Sequence, residues 1–275
     1  MKILRISYRL FLFTFLTVLT QVGGLAYLLS FATDKTISRK IANKYFRRLA
    51  GLGSFLIFYS VVSFALVPIV AKPLGRIRLP MLKTNHLQPQ NIFTGLLNRN
   101  YVRPVLRDAA FEVATQMHEK YPNTTLNYLD ASFPFINGFP LFPHLSHNDG
   151  KKLDMSFCYT DTKTGQPTNE CPSIIGYGVC EEPRPAEKNT SVFCDSNGYW
   201  QYGLLRKIVP QGNKNDYTFD STGTKALVNL FASQKTISKI FIEPHLQTRL
   251  GLTTAKIRFH GCRAVRHDDH IHVQL

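Results

Sequence analysis

Nine histidines are present, and five of them fall in two short clusters. The first cluster runs from His144 and His147 through Gly150 to Asp154. The second holds His267, Asp268, Asp269, His270 and His272. Imidazole nitrogens and carboxylate oxygens together suit Zn²⁺, and three protein ligands leave a fourth position for water, the arrangement of a catalytic rather than a structural site. Such an ion lowers the pKa of its water to ~7 and polarises a carbonyl. If the last segment is a strand, His270 and His272 point to one face and can approach one ion. Gly150 permits a tight turn after His147. Asp154 then projects opposite to Leu153 and Met155, so a His from a loop and an Asp from the adjoining strand can converge.

These groups need elements to hold them. Pro104 suits the start of a helix, and Val105 to Tyr121 reads as one, stopped before Pro122. Thr125–Leu129 reads as a strand, and residues 130–150 as a loop dense in Pro, Gly, His and Asn. Leu153–Tyr159 alternates, with Leu153, Met155 and Phe157 on one face and Asp154, Ser156 and Cys158 on the other. Residues 160–198 read as a long irregular insertion and 223–234 as a helix. Ile237–Ile242, Ala255–Phe259 and His270–Leu275 read as strands. Helices and strands in separate stretches predict an α+β domain, a small antiparallel sheet with flanking helices. There is no internal repeat, GxGxxG or P-loop.

The chain has 275 residues and a formal net charge of +15. Residues 1–78 hold 12 Lys/Arg and one acid, Asp34, whereas the remainder holds 21 Lys/Arg against 17 acids. The excess basicity flanks apolar runs, which speaks for membrane topology and against nucleic acid. Residues 10–32 and 49–71 each lack charge over 23 positions, enough for a helix across a hydrocarbon core of ~30 Å. A transmembrane helical hairpin is therefore expected over residues 1–78, followed by a linker at 79–100 and a domain over 101–275. The loop between the helices carries six cations, and the two outer flanks together carry six. The richest single loop favours the cytoplasm and places the domain outside.

Cys158, Cys171, Cys180, Cys194 and Cys262 are the cysteines, with no CxxC among them. The first four share a 37-residue window, a pattern that fits disulfide staples in an oxidising compartment. Asn123 and Asn189 begin triplets that match glycosylation acceptors. The Tyr199, Trp200 and Tyr202 cluster reads as packing. His86, His118 and His245 lack partners at ligand spacing, and His260 lies near enough to the final cluster to support it.

The two His clusters together resemble the LAS superfamily of zinc metallopeptidases, most closely the penicillin-insensitive murein endopeptidases. That family has a His-x2-His-x2-Gly-x3-Asp stretch, matched by His144, His147, Gly150 and Asp154, and a terminal His-x2-His-x-His, matched by His267, His270 and His272. The phrase from Ile237 to Pro244 and the closing His-Val-Gln-Leu are also similar, so the resemblance covers roughly residues 100–275. It implies one zinc ion held by His147, Asp154 and His272. His270 would be the general base or transition-state stabiliser, His267 an auxiliary polar group, and His144 a supporting residue behind the ligands. It further implies cleavage of peptidoglycan cross-links at the periplasmic face of the cytoplasmic membrane. Lys152 stands where the family commonly has a further Asp, and the usual aromatic pair before the last cluster is missing. Arg263 or Arg266 would then be available to a substrate carboxylate. Two alternatives stay open. Asp269, three residues before His272, matches the acid of D-Ala-D-Ala dipeptidases and carboxypeptidases of the superfamily. A non-catalytic, zinc-containing wall-binding module would keep the same ligands.

Overall fold

Residues 10–32 carry no charge, yet they do not form one continuous helix. In the computed structural model, which describes residues 2–275, helix α1 (Lys2–Thr20) ends before Gln21, whose φ of 67° is left-handed. The chain reverses there, and α2 (Gly23–Ser30) packs back along α1. Two glycines allow the close approach. A Cβ on Gly24 would lie 2.0 Å from Thr17 Oγ1, and one on Gly23 2.7 Å from the Leu16 carbonyl oxygen. A short 3-10 turn, Phe31–Thr33, leads into α3 (Asp34–Lys40). Asn43 then caps α4 (Lys44–Ser60), its Oδ1 accepting from the Tyr45 N–H at 2.8 Å. A wide π-turn, Val61–Leu66, continues α4 into α5 (Val67–Ala71). The run Lys44–Ala71 is 28 residues long, about 42 Å at 1.5 Å per residue. Ile3–Thr20 and Lys44–Ala71 are long and apolar enough to cross a membrane. The expected helix over 10–32 is thus corrected to two antiparallel halves, while 49–71 lies inside the longer run.

The segment expected as a linker is built into the domain. β1 (Ile77–Arg78), β2 (Leu87–Pro89), α6 (Ile92–Leu96) and β3 (Tyr101–Val102) follow one another, and β2 joins the main sheet. Leu79 and Leu87 are buried in the core, which is why this stretch is ordered against it. Next comes α7 (Pro104–Lys120), beginning at the proline as its fixed φ favours. Its Leu106, Ala109, Ala110, Val113, Ala114 and Met117 share one helical face, and all are buried.

β4 (Leu126–Tyr128) and β5 (Lys152–Ser156) follow. β6 (Tyr159–Asp161), β7 (Pro167–Thr168) and β8 (Tyr217–Phe219) form a separate three-stranded sheet. Between β7 and β8 lie α8 (Thr190–Ser196) and α9 (Leu204–Ile208), so the insertion is less irregular than its composition. The chain ends with α10 (Ser221–Ser233), β9 (Lys239–Phe241), α11 (Pro244–Arg249), β10 (Ile257–Arg258) and β11 (His270–Gln274).

The main sheet has six strands in the order β10-β9-β11-β5-β4-β2. The expected mix of helices and sheets holds, but the sheet is not wholly antiparallel. Its centre is antiparallel, and the outer pairs β10–β9 and β2–β4 are parallel. Parallel neighbours need a crossover, and α11 and α7 lie in the two that are required. β11 sits between β9 and β5, with His272 opposite Asp154. Alternation along these strands separates two tasks. Leu153, Met155, Ile271 and Val273 enter one buried cluster with Val113 of α7 and Phe231 of α10. Asp154, His270 and His272 project to the other face. Full burial of Ile271 or Val273 stabilises by about 1.5–3 kcal/mol each, so the core side fixes the register that aligns the polar side.

One disulfide, Cys194–Cys262, joins α8 to the loop before β11. Cys158, Cys171 and Cys180 are free thiols. The four-cysteine window therefore does not staple itself. Its last member reaches across the domain, while Cys171 and Cys180 are buried by packing.

Candidate metal centre

His147 comes from the 130–150 loop, Asp154 from β5 and His272 from β11. All three are buried, and they form a group that could hold a metal ion. His147 Nε2 lies 3.0 Å from His272 Nδ1 and 3.1 Å from Asp154 Oδ1, and His272 Nδ1 lies 2.9 Å from that same oxygen. Three atoms rich in lone pairs thus occupy the corners of a nearly equilateral triangle. His147 is oriented from behind, because its Nδ1–H donates to the Ala131 carbonyl at 2.7 Å. That bond leaves the Nε2 lone pair facing the triangle. The loop closes at Gly150, where φ is +74° and the N–H donates to Ser132 Oγ at 3.0 Å.

The second oxygen of Asp154 has its own donor. The Tyr177 hydroxyl donates to Asp154 Oδ2 at 2.8 Å and accepts from the Asp130 N–H at 3.1 Å. Burial, reinforced by the charges of Asp154 and Asp130, pushes the Tyr177 phenol well above its ordinary pKa, so it stays a donor. Burial opposes ionisation of Asp154. Nevertheless the imidazoles of His147 and His270 hold its carboxyl well below the usual carboxylate range. Asp130 is also buried and takes both Nε and Nη2 of Arg99, at 2.8 and 2.6 Å. It accepts from His144 Nδ1 at 3.2 Å, which sets the His144 ring beside the Asp154 group. Burial raises the Asp130 pKa, but Arg99 and His144 outweigh it and hold the carboxyl ionised.

His270 lies beside the triangle. Its Nδ1–H donates to the Asp269 carboxylate, and its Nε2 lies 3.7 Å from Asp154 Oδ2. Burial disfavours its charged form, but the carboxylates of Asp154 and Asp269 raise its pKa to about 9. His267 faces His270 with ring centroids 4.9 Å apart, and burial first, then neighbouring imidazoles, push its pKa well down. The Nε2 atoms of His144, His270 and His272 are buried with no hydrogen-bond partner among the described residues. Buried polar atoms of this kind call for a ligand, an ion or water.

A cavity of about 540 Å³ opens over this cluster. His147, Asp154, His267, His270 and His272 line its floor, and Phe142, Leu145, Trp200, Leu204 and Val265 line its largely apolar walls. That volume suits a drug-sized or peptide ligand.

All six site residues expected from the sequence are therefore brought together. Three further participants, Asp130, Tyr177 and Asp269 in its bond to His270, carry no such signal in the sequence. Asp269 neighbours His270 and was visible as an acid, though not as its partner. Asp130 and Tyr177 lie in a loop and in the insertion, where no periodicity places them. His260 lines the cavity and stacks on Phe241 at 4.1 Å. His245 is a packing residue, bonded through Nε2 to the Glu181 carbonyl at 2.7 Å. Arg266 is not available to a substrate, because Asp268 and Glu182 bind its guanidinium beneath the surface. Arg263 is exposed on the cavity rim. Tyr202 is buried as expected, but Trp200 is 65% exposed and belongs to the cavity wall. No protein-family model matches the chain, and a search of curated proteins also finds no match.

Proposed function

We propose that the chain is a membrane-anchored zinc peptidase of the LAS type, hydrolysing peptide bonds of peptidoglycan cross-links outside the cytoplasmic membrane. The observation that carries this reading is the convergence of His147 Nε2, Asp154 Oδ1 and His272 Nδ1 beneath an open cavity, with His270 alongside. A tetrahedral ion with bonds of ~2.0–2.2 Å separates its ligand atoms by about 3.3–3.6 Å. The triangle, with edges of 2.9–3.1 Å, meets this after opening by a few tenths of an ångström. When bound, zinc supplies a Lewis acid and a water whose pKa is lowered to ~7.

The protein's own groups do the rest. His147, Asp154 and His272 hold the ion, and Tyr177 fixes which Asp154 oxygen faces it. Asp269 occupies the Nδ1–H of His270, and the carboxylates around the ring favour its charged form, so the His270 Nε2–H is the donor that would stabilise the developing oxyanion and protonate the leaving amine. His267, kept neutral by burial, offers a polar contact to the carbonyl in the same cavity. The apolar walls exclude competing water and hold the substrate's aliphatic parts.

The dipeptidase or carboxypeptidase alternative needs Asp269 to face the substrate. Instead its carboxylate accepts from His270 Nδ1 and the Gly178 N–H, which favours the endopeptidase-like arrangement. The test uses the full chain purified in detergent. About one zinc per chain is expected by elemental analysis, lost in His147→Ala and His272→Ala, together with conversion of cross-linked muropeptide dimers to monomers. His270→Ala should keep the zinc and lose cleavage by about 10²–10⁴-fold. Zinc without cleavage of any peptide cross-link would support the wall-binding alternative. A folded, unchelated sample without zinc would sink the metal reading.

A further inference from the structure

The reversal at Gln21 changes which parts of the chain share a side of the membrane. A hairpin of two spanning helices would put the chain's first residues on the same side as the domain. In the structure the Gln21 turn itself lies at the domain. Its Oε1 accepts from the Phe135 N–H at 2.8 Å, and Val22 is buried with Val62, Val67, Ala71 and Tyr101. From that turn α1 and α2–α3 run side by side away from the domain. Arg9 pairs with Asp34 at 3.8 Å and lies over the Phe31 ring at 4.7 Å. Thr33 in turn bonds Ser54 of α4 at 2.7 Å. The middle of α1, the start of α3 and the middle of α4 are therefore joined away from the Gln21 turn, and from there the three runs continue further from the domain toward the beginning of α1, the end of α3 and the beginning of α4.

Charge follows the same division. Eight Lys/Arg lie between Arg5 and Arg48, with Asp34 the sole acid, and the reversal gathers them at the end away from the domain. Only Lys72, Arg76 and Arg78 lie at the domain end of residues 1–78, and Arg76 is buried against the Phe133 carbonyl and Asn137. Between the two ends, Leu10, Phe11 and Phe15 of α1 and Leu52, Leu56 and Ile57 of α4 are exposed. An apolar belt of this kind with cations at one end complements a bilayer whose cytoplasmic leaflet is anionic.

We infer that the bilayer surrounds three antiparallel helical runs, with the Arg5–Arg48 end in the cytoplasmic leaflet and the start of α1 on the opposite side from the domain. This rests on the membrane-anchor reading above. The basic count, balanced along the linear sequence, becomes one-sided once the runs are folded. Arg9, Lys35 and Arg39 extend their charged heads to the headgroups along apolar stems.

Cysteine labelling of the full chain in cells tests the arrangement, because residues 1–157 contain no cysteine. Ile3→Cys, Ser38→Cys and Lys163→Cys, all at exposed positions, would be treated with a membrane-impermeant maleimide, with unsubstituted chain as background. Cysteines at 3 and 38 should label only after permeabilisation, and the cysteine at 163 in intact cells. Labelling of Ile3→Cys in intact cells would overturn the three-run arrangement in favour of a hairpin. Protection of Lys163→Cys in intact cells would overturn the orientation. Alkaline carbonate extraction separates these outcomes from failure of the anchor reading, since release of the chain into the soluble fraction would sink the anchor itself.

Discussion

The Asp154 carboxylate serves three neighbours, and the division of its oxygens sets the geometry of the site. Oδ1 faces His147 and His272, while Oδ2 accepts from Tyr177. Removing only the hydroxyl, in Tyr177→Phe, leaves the ring to pack against His144 and His270 at 4.4 and 4.9 Å. The carboxylate then loses its outer donor and its fixed rotation. Loss of such support typically costs 10–100-fold in metal affinity. Competition with a chromogenic chelator should show a zinc affinity lower by about that factor in a folded variant, and an unchanged affinity would remove Tyr177 from the site's function. At this scale the sequence was informative where residues were close along the chain. His144, His147 and Asp154 announce themselves by spacing, as do His267, His270 and His272. Tyr177 and Asp130 reach the site only through tertiary contacts, and nothing in the local pattern around either one predicts the meeting.

Among the elements, the pairing of β11 with β5 is what converts two separated motifs into one centre. The side chains on the core face keep it in register. Leu153→Ala, at a fully buried position, should cost about 2–5 kcal/mol in urea unfolding, without touching a polar group of the site. Alternation made these strands legible, and the helix face of α7 likewise. The break in α1–α2 was not legible in the same way, because an uncharged run of apolar residues is compatible with one long helix or two short ones. Gly23 and Gly24 were the local signal, and they act through close approach to α1. The insertion is tied down by a bidentate pair, Glu187 with Nε and Nη2 of Arg249 on α11, at 2.9 and 2.5 Å. The hydrogen bonds from Arg249 lower the Glu187 pKa to about 2. A depressed folded-state value means that this stabilisation is present above the unfolded pKa near 4.3 and disappears as pH falls toward 2. Glu187→Gln should therefore lower the urea midpoint at pH 6–7, and the difference from wild type should shrink between pH 4.5 and pH 2. A difference independent of pH would show that the pair contributes through packing alone.

For the molecule as a whole, the Cys194–Cys262 disulfide links the insertion to the loop between β10 and β11, 68 residues away in sequence. That loop carries Arg263, Val265 and His267 to the cavity. A native disulfide contributes about 2–4 kcal/mol. Reductant should lower the stability of the wild type by about this amount and have no effect on Cys194→Ser; equal responses would mean that the bond is not formed. The cysteine count suggested a staple, but which cysteines pair depends on how α8 packs, which composition does not specify. The topology also bears on how the centre comes into being. β11 follows every other strand of the main sheet in the chain and yet lies in its middle, between β9 and β5. During synthesis the growing chain can pair β5, β4 and β2 on one side and β9 and β10 on the other. The two halves of the sheet stay unpaired, and His270 and His272 absent, until β11 emerges to close the seam. Contacts of such long sequence separation form slowly, so the His147, Asp154 and His272 cluster is the last part of the sheet to be assembled.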